Sequence, residues 1–192
     1  MDPAPLPVPT FETDRLRLAP PSMDDEPAYR RHFVDPAVLR ELSDAVPQPY
    51  PEHGVRDFLR ERVLPRQGRG HWFWGIYRRE APDALIGAVQ LWREGKPEHR
   101  GFWLGRRFWG RGYMSEAVVP VMDFAFGPAG FERLVFVNAA GNARSRRVKE
   151  KTGARLLRRE PARFVDPAYT EREVWELTAS EWRARRAAAG SR

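Results

Sequence analysis

The residues best suited to chemistry form one short stretch between a predicted strand and a predicted helix, residues 107–112, which read Arg-Phe-Trp-Gly-Arg-Gly. Two glycines let the backbone turn tightly and approach a ligand with no Cβ in the way. The helix that follows presents free N–H groups and a partial positive charge, and both suit an anion. Arg106, Arg107 and Arg111 add full charges. The pattern therefore predicts a cradle for phosphate, and a pyrophosphate is the ligand that fits it.

Two well-known phosphate-binding patterns do not match this turn. A P-loop ends in Gly-Lys-Ser/Thr, which is missing here, and the dinucleotide fingerprint needs a third glycine. By spacing alone, an ordinary strand-to-helix turn with two glycines is an equally good interpretation. The wider context has to decide between the two.

With its flanks, the turn resembles the Gln/Arg-x-x-Gly-x-Gly/Ala signature of the GNAT N-acetyltransferases. Gly-Phe-Trp-Leu at 101–104 and Tyr-Met-Ser-Glu-Ala at 113–117 resemble the ribosomal-protein N-acetyltransferase branch (RimJ/RimL-like). Residues 142–153 are similar to that branch's second block, Asn-x-x-Ser-x-Arg-Val-x-Glu-Lys-x-Gly. Weaker similarities lie at 49–52 and 175–178. The resemblance covers about residues 11–182, with both motifs in the right order.

The resemblance implies the GNAT fold, of the α/β (α+β) class. This fold is a single mixed, twisted sheet of six to seven strands, splayed at its centre, with helices on both faces. Acetyl-CoA is the implied co-substrate, with its pantetheine arm between two parallel strands and its pyrophosphate on the turn. The residues expected to bind it come from the strand, the turn, the following helix and the second block: Trp103, Leu104, Arg106, Arg107, Phe108, Trp109, Gly110, Arg111, Gly112, Tyr113, Met114, Ser115, Asn138, Asn142, Ser145 and Lys149.

The reaction that the resemblance implies is direct attack of a primary amine on the thioester in a ternary complex. The chain has no cysteine, which fits this route because no acyl-enzyme is needed. Such a site must take a proton from the amine, through a base or a chain of water molecules. It must also stabilise the thioester oxygen, for which the family uses a backbone N–H, here near Leu104. The leaving CoA thiolate needs an acid or a hydrogen-bond donor.

The donor position departs from the family pattern. Many relatives carry a tyrosine on the second-block helix, and this chain has Lys149 at that position. We expect the nearby hydroxyl of Ser145 to donate to the thiolate instead. The alternative is that Ser145 only supports the helix cap formed by Asn142.

The base position departs as well. Relatives often have a glutamate two residues before the glycine of the strand, here Gly101. This chain has His99 at that position, and its ordinary pKa suits a base near neutral pH. The alternatives are that His99 has no role in the reaction, or that Glu98 or Glu94 serves in its place. His99 and Ser145 are the predicted catalytic residues.

The acceptor pocket of the family is lined from regions that here contain Tyr50, Trp92 and Glu94, which we expect to contact the acceptor. A protein N-terminal amine is the acceptor that the branch implies. A small amine such as an antibiotic, a polyamine or an amino acid is an alternative. So is a module that binds acyl-CoA without turning it over, because the tyrosine is missing.

Hydrophobic patterns predict the elements that must position these residues. Strands are expected near 15–18, 71–78, 84–92, 100–106, 134–138, 154–159 and 172–177, with a turn at 79–83. Helices are expected over 22–33, 36–43, 52–66, 113–126 and 142–152, and after a capping box formed by Thr178 and Glu181. Residues 1–10 contain four prolines and are expected to be a flexible arm before a single domain, residues 11–192.

Composition excludes several classes of protein. The chain has 192 residues, about one domain, and is 42% hydrophobic and 31% charged, which excludes collagen, coiled coils and wholesale disorder. Because it contains no run of 18 apolar residues, we expect no contact with a membrane. We also expect a cytoplasmic protein, monomeric or homodimeric, with no signal peptide. No His, Asp and Glu residues have metal-ligand spacing, so no metal is expected.

The net charge of +7 could indicate a nucleic-acid partner. Part of it is concentrated in residues 106–111 and 144–151, where the phosphates of CoA are expected. The sequence also lacks basic residues interleaved with stacking aromatic ones. No nucleic-acid partner is therefore expected.

Overall fold

A computed structural model describes residues 4–190. Its centre is an eight-stranded sheet in the order β1-β2-β3-β4-β5-β6-β8-β7. The strands are β1 (Phe11–Glu12), β2 (Leu16–Ala19), β3 (His71–Arg78), β4 (Ala81–Trp92), β5 (Arg100–Leu104), β6 (Arg133–Ala139), β7 (Arg155–Pro161) and β8 (Glu171–Thr178). The mixed α/β class is confirmed. The sheet has one strand more than expected, because β1 is only two residues long and leaves no periodic pattern in the sequence.

Within the described residues, six α-helices cover the sheet: α1 (Glu26–Phe33), α2 (Pro36–Leu39), α3 (Gly54–Asp57), α4 (Tyr113–Phe126), α5 (Ala143–Thr152) and α6 (Ala179–Gly190). A π-helix, Phe58–Val63, continues α3. The predicted helix over 113–126 is confirmed to the residue, with Pro120 inside it. The predicted helix over 36–43 is shorter in the structure, where it ends at Leu39.

Both faces of strand β3 are buried. Alternate residues of β3 point to opposite faces, as a pleated strand requires. Trp72 and Trp74 lie in a core with α4, whereas Phe73 and Tyr77 lie in a second core with α1 and the π-helix. The four aromatic residues of β3 therefore all build core, two on each face of the sheet.

All but one of the strand pairs are antiparallel. The exception is β5 with β6, which run parallel and pair only at Arg100 and Phe136. Beyond this pair the two strands diverge towards their carboxyl ends, where β5 ends at Leu104 and β6 continues to Ala139. The splay that the resemblance implies is therefore present at the centre of the sheet.

Two expectations about the chain differ from the structure. The hairpin turn expected at 79–83 is present but shorter, because residues 79–80 alone form it and β4 begins at Ala81 and contains Pro82. Strand β5 pairs only with residues 87–91 of β4, so Pro82 lies where no partner needs its missing N–H. In the stretch expected to be a loose arm, Leu6 N–H donates to Gly68 O, and the indoles of Trp72 and Trp74 donate to the carbonyls of Leu6 and Pro9.

Candidate functional site

The phosphate-type turn follows β5 directly. The chain passes through Gly105 and a 3₁₀ turn, Arg106–Phe108, and the Trp109 indole then donates to Leu104 O at 2.6 Å. Gly110 and Gly112 have φ of +75° and +79°, in the left-handed region that favours glycine. A Cβ placed on Gly110 would meet no atom within 4 Å. The turn is thus held from inside and open on its outer side.

Helix α4 begins at this turn with no side-chain cap. Gly112 is its N-cap residue and has no side chain to accept from the first N–H groups. Those groups have no partner within the helix and carry its partial positive charge. The exposed Arg106, Arg107 and Arg111 surround them. This arrangement fits a phosphate group.

Several residues expected to bind the cofactor have buried side chains. Trp103 packs edge-to-face on Tyr29 of α1 with ring centroids 4.7 Å apart. Leu104, Phe108, Tyr113 and Met114 all belong to the core that includes α4. Their expected contacts with a cofactor would therefore have to come from the backbone. Ser115, one residue further on, is half-buried.

Arg15 and Glu116 brace the turn from the other side. The Glu116 carboxylate accepts from Thr13 Oγ1 at 2.6 Å and from Arg15 N at 2.9 Å, and it pairs with the Arg15 guanidinium at 2.6 Å. Arg15 Nη1 also donates to Arg111 O at 3.0 Å. Nothing in the sequence indicates this contact, because Arg15 lies about 100 residues before Glu116.

These contacts make Glu116 a source of pH-dependent stability. Burial alone would raise its pKa, but the hydrogen bonds from Thr13 and Arg15 and the charge of Arg15 together lower it. Its contribution is present above the ordinary pKa of about 4.3 and is lost as the pH falls through the lowered pKa of the folded state. We expect Glu116→Gln to be less stable than wild type at pH 7, by a margin that shrinks below about pH 4.

Urea unfolding of both proteins across this pH range measures the margin. The control is Glu12→Gln, at an exposed carboxylate that lies 3.7 Å from the nearest arginine nitrogen. A margin for Glu116→Gln that stays constant with pH would contradict the assignment.

Asn138 lies on β6 beside the gap and has a free acceptor. Its Nδ2 donates to Ala139 O at 2.8 Å and to Glu173 Oε2 at 3.0 Å, which fixes the orientation of the amide. Its Oδ1 is buried and has no partner among the described residues. A buried acceptor without a partner is costly. An N–H of a ligand between the strands, such as a pantetheine amide, would satisfy it.

Helix α5 carries the second block. Asn142 Oδ1 accepts from Ser145 N at 2.9 Å and caps the helix, and Gly153 ends it at φ +83°. The Ser145 side chain is half-buried, and its Oγ accepts from Lys149 Nζ at 2.8 Å. Lys149 itself is only 1% exposed. The structure therefore brings Ser145 and Lys149 together at the start of α5.

A cleft of about 520 Å³ opens next to the turn. It joins Arg106, Trp109 and Asn142 to residues that sequence reasoning did not select, among them Arg40, Glu41, Arg144 and Tyr169. The Arg144 guanidinium stacks on the Trp109 ring at 4.0 Å and pairs with Glu41 at 2.7 Å. No motif marks this contact, because Trp109, Glu41 and Arg144 come from three separate parts of the chain.

His99 makes two hydrogen bonds with β6. The backbone N–H of His99 donates to Val135 O at 2.8 Å, and its ring Nδ1 accepts from Val135 N at 2.9 Å. Burial, and then the charge of Arg133, lower its pKa, so the ring is neutral at pH 7 with its proton on Nε2. Neither ring nitrogen then has a free lone pair. A base role for His99 would require the bond to Val135 to break first.

The three residues expected to contact the acceptor lie apart. Tyr50 packs on Phe33 of α1 at 5.5 Å, and burial raises its pKa. Trp92 is buried at the end of β4, with Lys96 Nζ 4.8 Å from its ring. Glu94 is exposed. No contact between them marks an acceptor pocket in the described part of the chain.

Two kinds of feature are absent from residues 4–190. None of the helices there is long and apolar enough to cross a membrane. No group of three or more His, Cys, Asp and Glu side chains in the same range is placed to hold a metal ion.

Comparisons with known proteins agree with the turn and the splay. Residues 15–155 match the family model described as acetyltransferase (GNAT) domain. An uncharacterised N-acetyltransferase of Bacillus licheniformis, p20, is 26% identical over 130 residues, which are 65% of this chain and 70% of p20.

Solved structures resemble the whole fold. The acetyltransferase from Agrobacterium tumefaciens is 29% identical, with a TM-score of 0.69 over 90% of this chain and 95% of that one. RimL, a ribosomal-protein alpha-N-acetyltransferase solved in complex with coenzyme A, is 17% identical, with a TM-score of 0.76 over 90% of this chain and 99% of RimL. At 17% identity the second likeness shows the fold alone.

Proposed function

The chain belongs to the acetyltransferase (GNAT) domain family, and from this premise we propose that it acetylates the N-terminal amine of a protein, with acetyl-CoA as the donor. The observation that carries the proposal is the uncapped start of α4, which follows a two-glycine turn at the mouth of the gap between β5 and β6. The start of α4 suits the pyrophosphate and the gap suits the pantetheine arm.

Acetyl-CoA would be bound from the turn, through the gap between β5 and β6, to the start of α5. The N–H groups of α4 and the side chains of Arg106, Arg107 and Arg111 would bind the pyrophosphate. Asn138 Oδ1, which has no partner among the described residues, would accept from a pantetheine amide. Trp109, braced by Arg144, borders both the turn and the cleft. The thioester then lies towards Ser145, at the start of α5.

Transfer would proceed by direct attack. The neutral amine attacks the thioester carbon, and a backbone N–H near Leu104 stabilises the oxygen on which negative charge develops. As the C–S bond breaks, Ser145 donates to the departing sulfur. Because both ring nitrogens of His99 are occupied, we infer that the amine loses its proton to solvent through water.

Variants of His99 test whether the amine loses its proton to solvent rather than to His99. His99→Leu removes the acceptor of the Val135 N–H, and we expect it to lower the free energy of unfolding by about 1 kcal/mol. His99→Asn places an oxygen near the position of Nδ1, and we expect it to restore much of this loss. Neither variant should alter the pH profile of kcat, measured with an amine acceptor. A flattened profile in stable His99→Asn would instead assign the base role to His99.

The acceptor class rests on the RimJ/RimL-like sequence around the turn and on the second block. It is supported by RimL, a protein of the same fold that is named as an acetyltransferase of ribosomal L7/L12. The cleft beside the turn is open to solvent and lined by side chains of both charges, which suits an extended peptide segment better than an enclosed small molecule.

An acceptor screen tests the proposal. Release of the CoA thiol is followed with peptides that have free N-termini, with the same peptides blocked at the N-terminus, and with small amines. Mass analysis then locates the acetyl group. We expect free N-termini alone to accelerate release. Acceleration by small amines only would exclude the protein acceptor, and CoA binding without acceleration by any amine would exclude transfer.

A further inference from the structure

Two buried cations lie side by side under the splay. Arg100, the first residue of β5, is 3% exposed, and Lys149 of α5 is 1% exposed. The Arg100 guanidinium lies 4.0 Å from the Phe136 ring and 5.5 Å from the Phe102 ring, and Lys149 Nζ lies 5.4 Å from the same Phe102 ring. Burial of one cation is already costly, and a second like charge beside it increases the cost.

Neither cation has an acidic partner at hydrogen-bond distance among the described residues. Arg100 Nη1 points at the sulfur of Met122 at 3.1 Å, and its Nε and Nη2 have no partner. Lys149 Nζ donates a hydrogen bond to Ser145 Oγ at 2.8 Å. A lysine that serves stability alone would be expected to reach a carboxylate or solvent. This lysine is instead aimed at one hydroxyl group.

That hydroxyl is the one that the proposed function places at the leaving thiolate. We propose that Lys149 supplies the proton that Ser145 passes to the sulfur, so that the two side chains form a relay from the interior to the thioester. Lys149 acts through Ser145 and does not touch the reacting atoms. The inference rests on the proposed function of the same site.

The relay balances in atoms and charge. When the C–S bond breaks, its electron pair goes to sulfur and the proton of Ser145 Oγ moves to that sulfur. A proton of Lys149 Nζ moves to Ser145 Oγ, which leaves a neutral lysine and an intact serine. Counted from its ammonium form, the acceptor nitrogen releases two protons to solvent, one before and one after the attack, and one of them recharges Lys149. The net products are the amide, the CoA thiol and one proton.

The surroundings of Lys149 suit a group that must give up a proton and regain it. Burial, and then the charge of Arg100 on β5, lower its pKa well below the ordinary value, whereas Glu173 on β8 opposes that shift. The neutral form of the lysine is therefore accessible. Because donation requires the protonated form, turnover should fall as the pH rises through the lowered pKa.

Two substitutions at Lys149, with a control substitution at Lys151, test the relay. We expect Lys149→Met to fold, because an apolar side chain of similar length replaces a buried charge. Its kcat should fall by about 100-fold, the usual range for a lost proton donor, with little change in the Kd for acetyl-CoA. Lys149→Arg keeps the positive charge but cannot give up its proton in this range, so its kcat should fall by a similar factor and its alkaline fall in kcat should disappear. Lys151→Met, on the exposed side of the same helix, is the matched control and should behave as wild type.

The double variant tests whether the two residues act as a unit. Ser145→Ala and Lys149→Met together should cost no more than the larger single effect, because each removes the same transfer. Independent, multiplying effects would overturn the relay, and so would wild-type kcat in Lys149→Met or an unchanged alkaline fall in Lys149→Arg. Wild-type protein that turns over no amine would overturn the proposed function, and the relay with it.

Discussion

Gly110→Val is expected to weaken acetyl-CoA binding by about 100-fold, which corresponds to about 2.8 kcal/mol, while the protein still folds. The Gly110 backbone is left-handed, at φ +75°, and its outer side faces open space. A valine there would put its branched side chain where the pyrophosphate is expected and would strain the turn by about 1–2 kcal/mol. Titration calorimetry with acetyl-CoA and CoA measures the affinity, and thermal unfolding reports the fold.

Gly130→Val separates the site from the strain. Gly130 follows α4 and has the same kind of backbone, φ +65°, with no atom within 4 Å of a Cβ. Because its turn lies at the other end of α4 from the uncapped helix start, valine there should cost similar stability and leave acetyl-CoA binding intact. If the two variants bind equally well, the phosphate site does not lie at residues 107–112.

Glu173→Gln is expected to lower the free energy of unfolding by about 3 kcal/mol. Glu173 is fully buried on β8 and accepts from Asn138 Nδ2, from Arg159 Nη2 at 3.0 Å and from Arg146. A neutral amide keeps the shape of the side chain but turns one acceptor into a donor that faces other donors. Removing one member of a buried charged network leaves the others unpaired, although both arginines here are partly exposed and can regain water.

Glu160→Gln is the matched control for this prediction. Glu160 lies on the neighbouring strand β7 and pairs with Arg158 and Arg172, near solvent. Exposed ion pairs contribute little, so this substitution should change unfolding only slightly. Urea denaturation of both variants decides the matter, and equal losses in the two would show that burial does not set the importance of Glu173.

Local patterns predicted the elements that position the site. The strand before the turn, the two glycines and the helix over 113–126 are all encoded by neighbouring residues, and the structure places them as expected. These features depend on periodicity and backbone conformation, which a sequence carries directly.

The remaining features depend on contacts between distant residues. The bond from Val135 to the His99 ring and the brace of Arg15 on Glu116 each join elements far apart in the sequence. The burial of Lys149 likewise depends on distant residues, such as Phe102 of β5. A sequence shows that a histidine or a lysine is present but not whether its nitrogen is already bonded. For this reason the predicted cofactor turn is easier to place than the proton donors and acceptors around it.

The pairing of β5 with β6 divides the sheet into two hydrogen-bonded blocks, β1 to β5 and β6 to β8, which the ladder joins at Arg100 and Phe136. Cohesion between the blocks depends on the helices packed across them more than on the backbone. Acetyl-CoA lying in the gap would contact both blocks and hold them together. Its binding energy would therefore raise the free energy needed to separate the two blocks. Without acetyl-CoA, the blocks should separate more easily between β5 and β6.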